Sequence, residues 1–76
     1  MLEQLQDIIR EAKGDKSIAV APEMVLLSDL KLDSFDVATI VSEIENKFNI
    51  RVNDRDIATL KTVQNVLDYI AEKKGK

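Results

Sequence analysis

Three apolar stripes at helical spacing, with no pair of strand-like runs beside them, constrain this chain more than any other feature. The clearest is Val37, Ile40, Val41, Ile44 and Phe48, the i, i+3, i+4, i+7, i+11 series of one helix face. Asp33 and Ser34 stand ahead of it as cap candidates and Asn49 follows it. Leu2, Leu5, Ile8, Ile9 and Ala12, closed by Gly14, predict a helix over about 2–13. Thr62 precedes a third stripe of Val63, Val66, Leu67 and Ile70. Lys73, Lys74 and Lys76 follow, where a helix C-terminus favours cations, so a last helix ends near Lys74. Asn53 with Asp56 three residues on predicts a short helical turn at about 54–59, directing Ile57 and Leu60 inward.

Residues 14–33 have no helical period and contain the only proline. Ile18-Ala19-Val20-Ala21 has strand character but no partner, so the segment reads as an ordered loop pinned by Val20, Leu27, Leu30 and Leu32. The fold class is all-α: one domain over 1–76, a small four-helix bundle of three longer helices and one short helix, with a long loop after the first helix. A core this small, with aromatics at only 4%, is easily loosened and can part to admit a slender apolar guest.

Composition excludes most chemistries. With Cys 0 and His 0 there is no thiolate, no disulfide framework, no imidazole base and no histidine metal ligand. Asp29-Lys31-Asp33 begins like a calcium loop, but Ser34 stands at the sixth position, where glycine is needed, and Ile40 at the twelfth, where glutamate is needed; no metal site follows. Two glycines, Gly14 and Gly75, cannot form a phosphate cradle, and no serine has a base beside it. No enzyme is expected. A net charge of -3 is a poor footprint for nucleic acid. The start Met1-Leu2-Glu3-Gln4 lacks a basic-then-apolar export signal and no run suits a membrane span, so a cytoplasmic protein, monomeric by expectation, is the default.

Charge is unevenly spread. Residues 33–48 hold Asp33, Asp36, Glu43 and Glu45 against Lys47, which marks this segment as the candidate partner surface. A helix start accounts for Asp33, Ser34 and Asp36 but not for Phe35. Phe35 lies off the apolar stripe, on a face continuing through Ala38, Thr39, Ser42, Glu45 and Asn46. A large aromatic beside a serine at an exposed helix start reads as a docking surface.

Asp33-Ser34-Phe35-Asp36 is similar to the Asp-Ser-Leu-Asp attachment motif of the acyl carrier proteins. The resemblance continues through Val41, Ile44, Glu45 and Phe48, then Thr62-Val63-Gln64 and Asp68-Tyr69-Ile70, and upstream through Pro22-Glu23 and Asp29-Leu30. It implies that Ser34 receives 4'-phosphopantetheine from coenzyme A through a phosphopantetheinyl transferase, and that acyl intermediates travel as thioesters on that arm. The pathway implied is fatty-acid or specialised polyketide or lipid biosynthesis, with acyl-transferring, condensing and modifying enzymes as partners. Asp33, Phe35, Asp36, Ala38, Thr39, Ser42 and Glu45 become the docking face. Leu27, Ile40, Ile44, Val52, Ile57, Leu60, Val63 and Val66 match positions that shelter the acyl chain, and they must serve as plain core when it is absent. Relatives often have alanine at Ile57 and Val66, which implies a tighter interior and short acyl groups.

The chain also departs from the family pattern. Lys31 replaces a usual glycine, Thr39 a usual glutamate, and Asn46 and Lys47 stand where acids are common, so the acidic face is thinner and a specialised pathway carrier becomes plausible. The alternatives are a peptidyl or aminoacyl carrier, whose motif usually lacks the second aspartate, and a non-carrier helical interaction module in which Asp33 and Ser34 merely cap.

Overall fold

In a computed structural model, described over residues 1–75, the chain forms four helices: α1 (Leu2–Lys13), α2 (Ser34–Phe48), α3 (Asp54–Ile57) and α4 (Val63–Lys74). Each boundary has a local cause. Gly14 takes φ 68 and its N–H closes α1 on the carbonyls of Arg10 and Glu11. Asp33 and Asp36 form a reciprocal capping box on α2, and Asn49 at φ 55 ends it. Thr62 and Asn65 cap α4 the same way; Lys76 lies outside the described residues. The short helix spans only Asp54–Ile57, less than the 54–59 read from sequence. Asn53 accepts no capping hydrogen bond there; its side-chain amide instead donates to Asp56 Oδ2 at 3.5 Å.

One hydrophobic cluster holds the bundle. Leu5, Ile8 and Ile9 of α1 meet Ile40, Ile44 and Phe48 of α2 and Val63, Val66 and Ile70 of α4, all of them buried. α3 buries none of its residues. It is the least anchored element of the four, and Tyr69 ties it to α4 through a 2.7 Å hydrogen bond from its hydroxyl to Asp56 Oδ2.

The long loop is ordered by side chains and by the α4 N-terminus. Val20 N–H donates to Gln6 Oε1 at 2.9 Å, and Arg10 Nε donates to the Ile18 carbonyl at 2.6 Å. The first N–H groups of α4 have no partner within their own helix. Val63 N–H bonds the Met24 carbonyl at 2.9 Å and Gln64 N–H bonds the Pro22 carbonyl at 2.8 Å, so the loop satisfies them. Val20, Leu30 and Leu32 are buried anchors, as their sequence suggested. Leu27 is not: it is 65% exposed, and Leu26 is buried in its place. Val25 forms an isolated antiparallel bridge with Thr62, and Leu26 N–H donates to the Lys61 carbonyl. The chain then turns over residues 26–29, with the Asp29 and Leu30 N–H groups bonded back to the Val25 carbonyl, so Leu26 and Leu30, four apart, face the core together and Leu27 lies off that side.

Candidate functional site

Ser34 is the first residue of α2 and is exposed. Its position follows from the cap: Asp33 is extended at φ -100, its Oδ1 accepts the Asp36 N–H at 2.8 Å, and its carbonyl accepts the Val37 N–H at 3.0 Å. The N–H groups of Ser34 and Phe35 lie in the first turn, where no intrahelical acceptor exists and the helix dipole favours an anion. Of the other serines, Ser17 donates its hydroxyl to Asp15 at 2.6 Å, Ser28 lies in the long loop, and Ser42 is in mid-helix. Those Ser17 hydrogen bonds, side chain first and then backbone, hold the Asp15 carboxyl below its ordinary range.

Ser34 opens on a groove of about 520 Å³ between the long loop, the start of α2 and the segment after α3. Of the residues expected to shelter an acyl chain, Leu27, Ile57 and Leu60 line this groove. Ile40, Ile44, Val63 and Val66 are packed into the closed core at 0–6% exposure, and Val52 is half-buried with its N–H bonded to Glu45 Oε2 at 2.9 Å. Val25, Leu26, Val37, Ala38, Ala58 and Lys61 complete the wall. Val37 stood on the apolar stripe and Ala38 beside it, but helical period did not reach Val25 and Leu26, which the loop brings to the site, or Ala58 and Lys61, which follow α3.

The expected docking residues share the outer side of α2 unequally. Phe35 is 73% exposed; Ala38 and Ser42 are exposed too. Thr39 is half-buried, its hydroxyl donating to the Phe35 carbonyl at 3.1 Å. The acids are engaged within the protein. Asp36 Oδ2 lies 3.3 Å from Lys13 Nζ and accepts the Asp33 N–H at 3.3 Å, while Glu45 holds the backbone at Val52. Lys13 also donates to the Lys31 carbonyl at 3.2 Å, and Lys31 has the left-handed φ of 54. Nothing in the sequence pointed from Lys13 to Asp36, since that pairing depends on how α1 packs on α2.

Fold and site together define a class: a small helical bundle with an exposed serine presented at the mouth of its second helix. The family model described as "Phosphopantetheine attachment site" matches residues 3–70. The chain is 37% identical over 70 residues to an acyl carrier protein of Myxococcus xanthus, covering 92% of this chain and 89% of that one. It is 40% identical over 73 residues to an acyl carrier protein of Bdellovibrio bacteriovorus, covering 96% and 92%. The crystal structure of the acyl carrier protein of Thermotoga maritima superposes with a TM-score of 0.83 at 26% identity, over 95% of this chain and 84% of that one. The chain belongs to the acyl carrier protein family, whose cofactor is covalently bound 4'-phosphopantetheine. An exposed hydroxyl beside open N–H groups and an apolar groove suits that group's phosphodiester and its acyl cargo. No helix among the described residues is long and apolar enough to cross a membrane.

Proposed function

We propose that Ser34 Oγ is the attachment point of 4'-phosphopantetheine and that the chain is a carrier rather than a catalyst, serving fatty-acid or specialised polyketide or lipid biosynthesis as one independent, monomeric domain in the cytoplasm. When bound, the arm supplies the thiol that holds acyl groups as thioesters, which a chain with Cys 0 cannot supply itself. The observation that carries the reading is the placement of Ser34, exposed at the first position of α2 and lining the apolar groove. Ser34 and Phe35 N–H groups favour the phosphodiester there. Leu27, Ile57 and Leu60 exclude water from the start of an acyl chain, and α3, with nothing buried, is the wall that yields.

Partners are a phosphopantetheinyl transferase and then the acyl-transferring, condensing and modifying enzymes, met in brief encounters that let the carrier release each client. The test is to incubate the chain with coenzyme A and a broad-specificity phosphopantetheinyl transferase and to weigh the product. Mass gain in the wild type and none in Ser34→Ala supports the reading. No gain, under conditions that modify a control carrier, leaves the interaction module in its place.

A further inference from the structure

Of the residues that line the groove beside Ser34, Lys61 alone carries a charge, and no carboxylate is among them. The only ion pair among the described residues joins Lys13 to Asp36, so the Lys61 ammonium is left without a counter-ion. Its backbone is fixed from both sides. The Lys61 N–H donates to the Thr59 carbonyl at 3.1 Å and to Asn65 Oδ1 at 3.2 Å, and its carbonyl accepts the Leu26 N–H at 2.9 Å. The side chain therefore leaves from a set point on the wall after α3, while Ser34 stands on the wall made by the start of α2. On that second wall negative charge is already gathered, since Asp33 precedes Ser34 and Asp36 follows two residues later. A phosphodiester on Ser34 Oγ adds one more. The first-turn N–H groups of α2 offer it dipoles but no net charge, and Lys13 is engaged with Asp36 and the Lys31 carbonyl. An unpaired cation thus lines the groove in which modification places an unpaired anion.

Resting on the reading of Ser34 above, we propose that Lys61 is the counter-ion of the phosphodiester on Ser34, drawing the arm across the groove against Leu27, Ile57 and Leu60 instead of leaving it in solvent. A lysine suits this role because its ammonium is a point charge on a flexible stem, able to meet phosphate oxygens from several directions. The phosphate is tethered to a residue of the same groove, so the pairing is intramolecular and its effective concentration is high. Lys61 is exposed, so the pair stays hydrated and weak, and it opens readily when a client takes the arm. Lys31 is the competing cation: it stands three residues before Ser34 in the chain, but it does not line the groove.

The experiment compares thermal unfolding of the unmodified chain with that of the same chain carrying the arm, transferred from coenzyme A by a broad-specificity transferase and verified by mass. Loading raises the wild-type Tm by about 1–5 °C at roughly 0.01 M salt, and the rise falls by about half or more at roughly 0.5 M as the pair is screened. Lys61→Gln abolishes the rise, Lys61→Glu turns it into a fall, and Lys61→Arg and Lys31→Gln keep it. Circular dichroism of the unmodified variants checks that their helices persist, which the exposure of Lys61 favours. A wild type without a rise, a rise retained in Lys61→Gln, or one lost in Lys31→Gln overturns the proposal while leaving Ser34 as the attachment site, because mass gain is scored separately. An equal rise of the unmodified wild type in inorganic phosphate at matched ionic strength assigns Lys61 to free anions and overturns the proposal as well. Absence of mass gain in the wild type removes both.

Discussion

Replacing Asp36 with alanine removes three contributions at once, and their sizes follow from the geometry. The Asp33 N–H loses its acceptor at 3.3 Å, half of the capping box, at a cost of about 0.5–1 kcal/mol. The ion pair with Lys13 disappears; its side chains are 28% and 17% exposed, so solvent screening limits it to about 0.2–1 kcal/mol. A carboxylate also leaves the first turn of α2, where the helix dipole favours it by about 0.3–1 kcal/mol. These overlap, and together they come to about 1–2 kcal/mol, a large share of the roughly 3–5 kcal/mol that holds a domain of this size. Thermal unfolding followed by circular dichroism then shows Tm lower by about 5–15 °C. Asp36→Asn, which keeps an acceptor for the cap, loses about half as much. Lys13→Met combined with Asp36→Ala returns a coupling of about 0.2–1 kcal/mol. A Tm for Asp36→Ala equal to the wild type, with transfer to Ser34 nonetheless impaired, would refute the reasoning, because Asp36 would then be free for partners.

Three further outcomes test other parts of the structure. Lys31→Gly relieves the left-handed strain at φ 54 and, after the extra freedom of glycine in the unfolded chain is subtracted, stabilises by about 0.5–1 kcal/mol in denaturant titration; a loss of stability would mean the lysine side chain contributes more than its backbone costs. Burial first, and the hydrogen bond to Asp56 second, push the Tyr69 hydroxyl above its ordinary 10.0. The folded state therefore holds that proton longer, and the stability this confers is complete below pH 10 and lost as pH rises past it. Tyr69→Phe lacks that alkaline loss and costs about 0.5–1.5 kcal/mol at neutral pH, whereas an unaltered alkaline slope would contradict the assignment. Acyl groups of graded length on the arm give their largest rise in Tm at short lengths, since Ile40, Ile44, Val63 and Val66 close the interior beyond the groove; a maximum at long chains overturns that expectation.

The three longer helices were legible because each obeys two local rules, an apolar stripe at helical period and a cap residue at its end. Val37 to Phe48 with Asp33 ahead of it is the plainest case. α3 was read too long because Ile57 and Leu60 mimic a stripe that four residues cannot continue. In the long loop the direction of a side chain is set by pairing with distant backbone. The Leu26 N–H bonds the Lys61 carbonyl and the chain then turns over 26–29, which sets Leu26 inward and Leu27 outward, and composition alone does not distinguish adjacent leucines. The exposure of Phe35 was readable from its position off the stripe. The capping role of Asp36 was readable from its spacing to Asp33, but its ion pair with Lys13 and the hydrogen bond from Val52 N–H to Glu45 were not, because those contacts exist only once the chain is packed.

Peptide-level mass spectrometry of the modified chain bears most directly on the carrier reading, because Ser17, Ser28, Ser34 and Ser42 all offer hydroxyls and only one stands at a helix mouth. The account predicts that the phosphopantetheine mass falls on Ser34 alone. Its appearance on Ser28, Ser42 or Ser17, with Ser34 unmodified, would contradict it.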